Sequence, residues 1–208
     1  MSAVRIKVCG ITRPEDGQLA AALGADAIGL VFYPKSPRHV SLEQAQAIVA
    51  ALPPFVSVVA LFVDPAPDAV HAVLNAVPID LLQFHGDESP AFCRQFARPY
   101  LKAVRVQPGL DLLQYALAHT GARGLLTDAF VPGVPGGTGA TFDWALLPDT
   151  LPLPLILSGG LEPDNIAQAI RATRPAAVDV SSGVEASKGI KDAARMAAFI
   201  AGVQNASV

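Results

Sequence analysis

The chain has 208 residues, 51% of them apolar and 16% charged, with 15 Lys and Arg against 18 Asp and Glu. That balance excludes a disordered polar chain and offers no polybasic surface for nucleic acid. No apolar run reaches the roughly 18 residues that a membrane span needs, and the first residues lack the pattern of a secretory signal. A cytoplasmic protein with one domain over residues 1–208 is expected, as either a monomer or a homodimer. Cys9 and Cys93 have neither disulfide-scaffold density nor metal-ligand spacing, and the four His residues are scattered, so no metal is expected.

In chain order, residues 4–9 read as a strand and 14–23 as a helix, with Pro14 in its first turn and Thr12 as a possible cap. Ala27–Phe32 is a second strand. Ser41–Ala51 is the next helix, and Ser41 with Gln44 has capping-box spacing. Phe55–Val63 and Ala66–Val77 give a third pair, Ile79–Phe84 and Glu88–Phe96 a fourth, Tyr100–Val106 and Leu110–His119 a fifth. Gly124–Asp128 leads into a long loop over Phe130–Thr141, then a short helical segment near Phe142–Leu147. Pro154–Leu157 with Pro163–Arg171, then Ala177–Val180 with Lys188–Ala201, complete eight units. Short runs rich in Val, Ile, Leu and Ala suit parallel strands covered by helices. Eight sequential units favour a compact, closed (β/α)8 barrel with shortened helices or loops late in the chain, over an open α/β sheet. The Pro/Gly-rich segment Pro132–Gly139 lies inside this repeat and reads as an active-site loop.

In such a barrel chemistry gathers where strands exit toward their helices. Gly159-Gly160 and Ser181-Ser182-Gly183 follow strands seven and eight, where backbone N–H groups can approach a phosphate; ordinary tight turns are the alternative. Cys9 ends the first strand and is a candidate proton-transferring thiolate, or a packed strand-end residue. Asp128 ends the sixth strand and could act as its complementary acid, or cap a turn. Arg38 could hold a carboxylate in bidentate fashion. His85 could orient a substrate, and Asp179 could orient a loop or bind a ribosyl hydroxyl. Lys7 could anchor Cys9 or bind an anion; inside a strand, its ammonium must reach solvent or a carboxylate.

These residues sit in segments that, in their order, closely resemble the phosphoribosylanthranilate isomerase family of tryptophan biosynthesis. The segments are Lys7-Val8-Cys9-Gly10-Ile11-Thr12, Phe32 with Ser36, Arg38 and Val40, and Gln83-Phe84-His85-Gly86. They continue through Asp128, Gly136-Gly137-Thr138-Gly139 with Phe142-Asp143-Trp144, Ser158-Gly159-Gly160-Leu161, and Asp179-Val180-Ser181-Ser182-Gly183-Val184. Phe84 departs from the family's usual leucine, which changes local core volume rather than reaction class. Thr127-Asp128-Ala129 also differs from the familiar Asp-Thr or Asp-Asn pair, but keeps the acid. The resemblance implies a single-domain TIM barrel acting without cofactor on a phosphoribosyl anthranilate. It further implies Asp128 as general acid, Cys9 as general base and Arg38 on the anthranilate carboxylate. Gly160 with Ser181-Ser182-Gly183 would hold the phosphate, and Gly137, Thr138 and Gly139 would contribute through a closing loop. Another phosphosugar isomerase or epimerase, or a noncatalytic phosphometabolite-binding protein, are the competing readings.

Overall fold

The computed structural model describes residues 4–129 and 143–206. Its strands β1 (Arg5–Cys9), β2 (Ala27–Val31), β3 (Ser57–Phe62), β4 (Leu81–Phe84), β5 (Tyr100–Val106), β6 (Gly124–Ala129), β7 (Leu155–Leu157) and β8 (Ala177–Val180) pair in parallel and in order. β8 pairs back onto β1, matching Arg5 with Ala177 and Lys7 with Asp179, so the sheet closes into a barrel. Helices α1 (Pro14–Leu23), α2 (Leu42–Ala50), α3 (Pro67–Ala76), α4 (Pro90–Arg94), α5 (Leu112–Ala118), α6 (Ile166–Thr173) and α7 (Ala193–Asn205) follow the strands, except that a 3-10 turn, Trp144–Leu146, stands after β6. Among the described residues, no helix is long and apolar enough to cross a membrane.

The period-two alternation of each strand assigns its side chains to two compartments. Ile6 and Val8 of β1, Leu82 and Phe84 of β4, Leu125 of β6, and Val178 and Val180 of β8 join the large apolar layer between barrel and helices. Inside, Leu101, Ala103, Leu126 and Ile156 form an apolar plug, with Leu81 and Ala177 packed against it. Layers of side chains fill such barrels rather than leaving a pore. The same alternation turns Lys7, Cys9, Gln83, Asp128 and Asp179 inward, above that plug.

Local signals set several helix starts. Ser41 and Gln44 form the expected reciprocal capping box at α2, and Pro14 begins α1. Thr12 does not cap α1: Arg13 occupies the N-cap position, and the Thr12 hydroxyl donates instead to the Gly189 carbonyl. The last helix also starts later than the sequence pattern implies. Gly189, at φ +82°, turns a small antiparallel hairpin, β9 (Glu185–Ser187) and β10 (Ile190–Lys191). Asp192 then caps α7 by accepting from the Arg195 N–H. The expected sixth helix shrinks to Trp144–Leu146, where Asp143 accepts from the Ala145 N–H. The segment with Gly137, Thr138 and Gly139 lies outside the described residues.

Candidate active site

A cavity of ≈ 440 Å³ opens where the strands end, and Cys9, His85, Asp128, Gly160, Asp179 and Ser181 all contribute to its lining. Arg38, Gly159 and Ser182 line it too, whereas Lys7 lies below and Gly183 behind it, in a 3-10 turn over Ser182–Val184. One wall is apolar: Cys9, Val31 and Leu61 cluster with Tyr33 and Val63.

Cys9 owes its setting to its neighbour on β2. Gly29 is its register partner, and a Cβ placed there would lie 2.6 Å from the Cys9 sulfur and 3.1 Å from Lys7 Nζ. A glycine is therefore required for the thiol and the ammonium to share this space. Lys7 Nζ also meets Asp179 Oδ1 at 2.8 Å, with both side chains buried. Burial opposes the Lys7 charge, but Asp179 and Cys9 outweigh it and raise its pKa. For Cys9 burial dominates and pushes the thiol up, against the pull of Lys7. Burial thus favours the neutral thiol, while the adjacent ammonium favours its thiolate.

On the far side, His85 follows β4 and its Nε2 lies 3.2 Å from Asp128 Oδ2. The Ala129 N–H donates to Asp128 Oδ1 at 2.8 Å. Gly159 must come close here: its φ is +86°, and a Cβ on it would stand 2.7 Å from the Ala129 nitrogen and 2.9 Å from Asp128 Oδ1. Gly160 continues the left-handed path at φ +62°. Successive backbone N–H groups in such turns form anion-receiving concavities.

Arg38 is committed more deeply than its sequence context reveals. Its Nε and Nη2 each donate to Glu185 at 2.8 Å, in a bidentate pair. Lys191 donates to the same carboxylate at 2.9 Å and to the Ser181 carbonyl at 3.0 Å. Burial raises the Glu185 pKa, but Arg38 and Lys191 more than reverse this, so its pKa is lowered. The β9–β10 hairpin is thereby tied to Arg38 and to the Ser181 turn. It also carries Lys188, which with Lys35 lines the mouth. Lys188 escaped the sequence reading because it was assigned to a helix, although Gly189 marked the turn. Among the described residues, no group of three or more His, Cys, Asp or Glu could hold a metal ion.

A closed parallel barrel with its polar and charged groups gathered at the strand exits has the architecture of a (β/α)8-barrel enzyme. Comparison with known proteins narrows this class. A family model described as N-(5'phosphoribosyl)anthranilate (PRA) isomerase matches residues 6–202. The N-(5'-phosphoribosyl)anthranilate isomerase of Azotobacter vinelandii is 60% identical over 206 residues, covering 99% of this chain and 100% of that protein. A crystal structure of phosphoribosyl anthranilate isomerase from Thermotoga maritima superposes with a TM-score of 0.88 at 43% identity, covering 96% of this chain and 98% of that one. Another, at 41% identity and TM-score 0.85 over the same shares, is a complex with reduced 1-(o-carboxyphenylamino)-1-deoxyribulose 5-phosphate. The chain belongs to the phosphoribosylanthranilate isomerase family, and is an isomerase of tryptophan biosynthesis.

Proposed function

We propose that this enzyme carries out the Amadori rearrangement of N-(5-phosphoribosyl)anthranilate to 1-(2-carboxyphenylamino)-1-deoxyribulose 5-phosphate, with Asp128 as general acid and Cys9 as general base. The observation that carries the assignment is that Cys9 on β1 and Asp128 on β6 line one cavity from separate strands. Acid and base so placed address two different atoms of one sugar.

Asp128 protonates the ribose ring oxygen and the ring opens to an iminium. Cys9, as thiolate, takes the C2 proton and leaves an enolamine. Proton gain at C1 and loss at O2 then give the ketone. The O2 proton replaces the one given by Asp128, and the proton taken by Cys9 balances that gained at C1. Because the buried resting thiol must first lose its proton, the fraction able to take the C2 proton is expected to rise with pH.

The remaining surfaces suit the same substrate. The apolar wall of Val31, Leu61 and Val63 beside Cys9 accepts an aryl ring. A guanidinium has five donors, and Glu185 takes one edge of Arg38, so the Nη1 side of Arg38 can receive the anthranilate carboxylate. The backbone of Gly159, Gly160 and Ser181-Ser182-Gly183 receives the phosphate, and Lys35 and Lys188 draw both anionic ends to the mouth. Asp179 acts by fixing Lys7 against Cys9. Gly137, Thr138 and Gly139 stay in this reading as contributors from the loop after β6.

The test follows freshly generated N-(5-phosphoribosyl)anthranilate with the native chain, Cys9→Ser and Asp128→Asn, resolving the product by chromatography and mass spectrometry. Native product with losses on the order of 10²-fold or more in both folded variants is expected. Equal product from both variants would overturn the acid and base assignments while leaving the reaction in place.

A further inference from the structure

Gln83 has no part in the reaction described above, yet it is fully buried on the inner face of β4 and lines the cavity floor. Its register partners, Leu61 on β3 and Leu101 on β5, have side chains that offer its amide no hydrogen bond. Its Nε2 lies 3.1 Å from His85 Nδ1, so Gln83, His85 and Asp128 form one hydrogen-bonded line. The Gln83 Oε1 atom is buried with no hydrogen-bond partner among the described residues. A buried polar atom without a partner is rare enough to require a reason.

Proton accounting along the line supplies one. With Gln83 Nε2 donating to Nδ1, a neutral His85 carries its proton on Nε2 and donates it to Asp128. The Ala129 N–H donates to the other carboxylate oxygen. Both contacts favour an ionised Asp128, which cannot protonate a ring oxygen. For Oδ2 to carry a proton toward His85, Nε2 must accept, and the imidazole proton must sit on Nδ1. That N–H then needs an acceptor. A half-turn of the nearly isosteric amide presents Oε1, the atom otherwise without a partner.

We propose that Gln83 is a positioning residue whose amide orientation selects the His85 tautomer, and through it whether Asp128 stands as carboxylate or as acid. This deepens the acid assignment above and rests on it. Other charged or titratable groups near the line are Cys9 and Lys7 on β1, Asp179 on β8, Arg105, the register partner of Asp128 on β5, and the Lys102–Glu88 pair behind His85. Lys7 and Asp179 are already paired, and Arg105 reaches Asp87 at 3.4 Å. A ligand with two anionic ends favours uptake of one more proton by the His85–Asp128 pair, so the amide turns when the site fills.

The experiment is 15N NMR of the four histidines, with His85 assigned by substitution, in the full chain with and without reduced 1-(o-carboxyphenylamino)-1-deoxyribulose 5-phosphate. The empty native protein should show the Nε2–H tautomer, and the ligand should move a proton to Nδ1. Gln83→Glu, which when ionised offers only acceptors, should then show Nδ1–H without ligand. Gln83→Met should lower kcat by about 10-fold or more, short of the roughly 10²-fold or greater loss expected when the acid itself is removed, while KM changes little. An unchanged native tautomer on ligand binding would overturn the proposal. So would a folded Gln83→Met protein with native kcat and native His85 signals. If the substituted chains fail to fold, the native pair of spectra still decides. Failure of the acid assignment itself is read separately, from product made by Asp128→Asn.

Discussion

Two buried lysine–carboxylate pairs lie on opposite sides of the sheet and differ in how fully the ammonium is used. Between strands and helices, Lys102 donates to the Phe84 carbonyl at 3.3 Å, the Gly86 carbonyl at 2.6 Å and Glu88 at 2.9 Å. All three N–H groups have acceptors, and Glu88 in turn accepts from the Gly86 and Asp64 backbones. That pair fastens the loop behind His85. Inside the barrel, Lys7 binds Asp179 and keeps part of its field for Cys9. The first arrangement holds a shape, whereas the second holds a charge next to the thiol proposed as the base.

Substituting each lysine pair in turn separates these roles. The largest effect is expected for Lys7→Met. It strands Asp179 in the interior, costing about 3–5 kcal/mol of stability. In the folded fraction the Cys9 thiol should titrate higher, and kcat should fall by about 10²-fold or more because less thiolate forms. Alkylation rates of Cys9 against pH, with kcat on the same samples, check both. Native alkylation and turnover in Lys7→Met would remove the charge role.

Glu88→Gln should lower stability by a similar margin, about 3–5 kcal/mol in urea unfolding, yet reduce kcat far less than Lys7→Met does. A larger kcat loss from Glu88→Gln than from Lys7→Met would reverse the division of roles.

A smaller effect belongs to His119, stacked on Tyr115 in the outer layer with its Nδ1 lacking a partner among the described residues. Burial, then the Lys102 charge, lowers its pKa to about 4. The unfolded chain therefore binds the proton more readily, and stability falls as pH drops from the ordinary histidine range toward that value. The slope from this one group is at most about 1.4 kcal/mol per pH unit. His119→Phe keeps the stack and should flatten this part of a Tm-against-pH curve; an unchanged curve would refute the assignment.

The eight strands were legible because each is a short Val/Ile/Leu-rich run with a turn behind it, and Ser41 with Gln44 marked α2 correctly. The hairpin before α7 was not, since Lys188–Ala201 reads as one helical stretch unless Gly189 is weighed as a turn. Cys9 and Asp128 could be singled out as strand-end residues with acid–base chemistry. Their neighbours could not. Arg38 and Glu185 stand 147 residues apart, and only barrel closure brings them together. Lys7 was expected to need a carboxylate, and closure of β1 against β8 supplied Asp179 as its register partner. Gln83 carried a faint signal, a polar residue in the otherwise apolar run Leu81–Phe84, but its purpose needed His85 and Asp128 in view.

The most direct test of Cys9 as the base is the pH dependence of kcat/KM, compared between the native enzyme and Cys9→Asp. A buried thiol with a raised pKa gains thiolate about tenfold per pH unit between roughly pH 7 and 9. Any loss of the Asp128 proton is common to both proteins, so the native-to-Cys9→Asp ratio of kcat/KM should rise by that factor. An ionised carboxylate at the same place needs no such step, so the Cys9→Asp profile should carry only the dependence on the Asp128 proton, at whatever activity it retains. A ratio that does not change with pH would contradict the assignment of Cys9 as the group that takes the C2 proton.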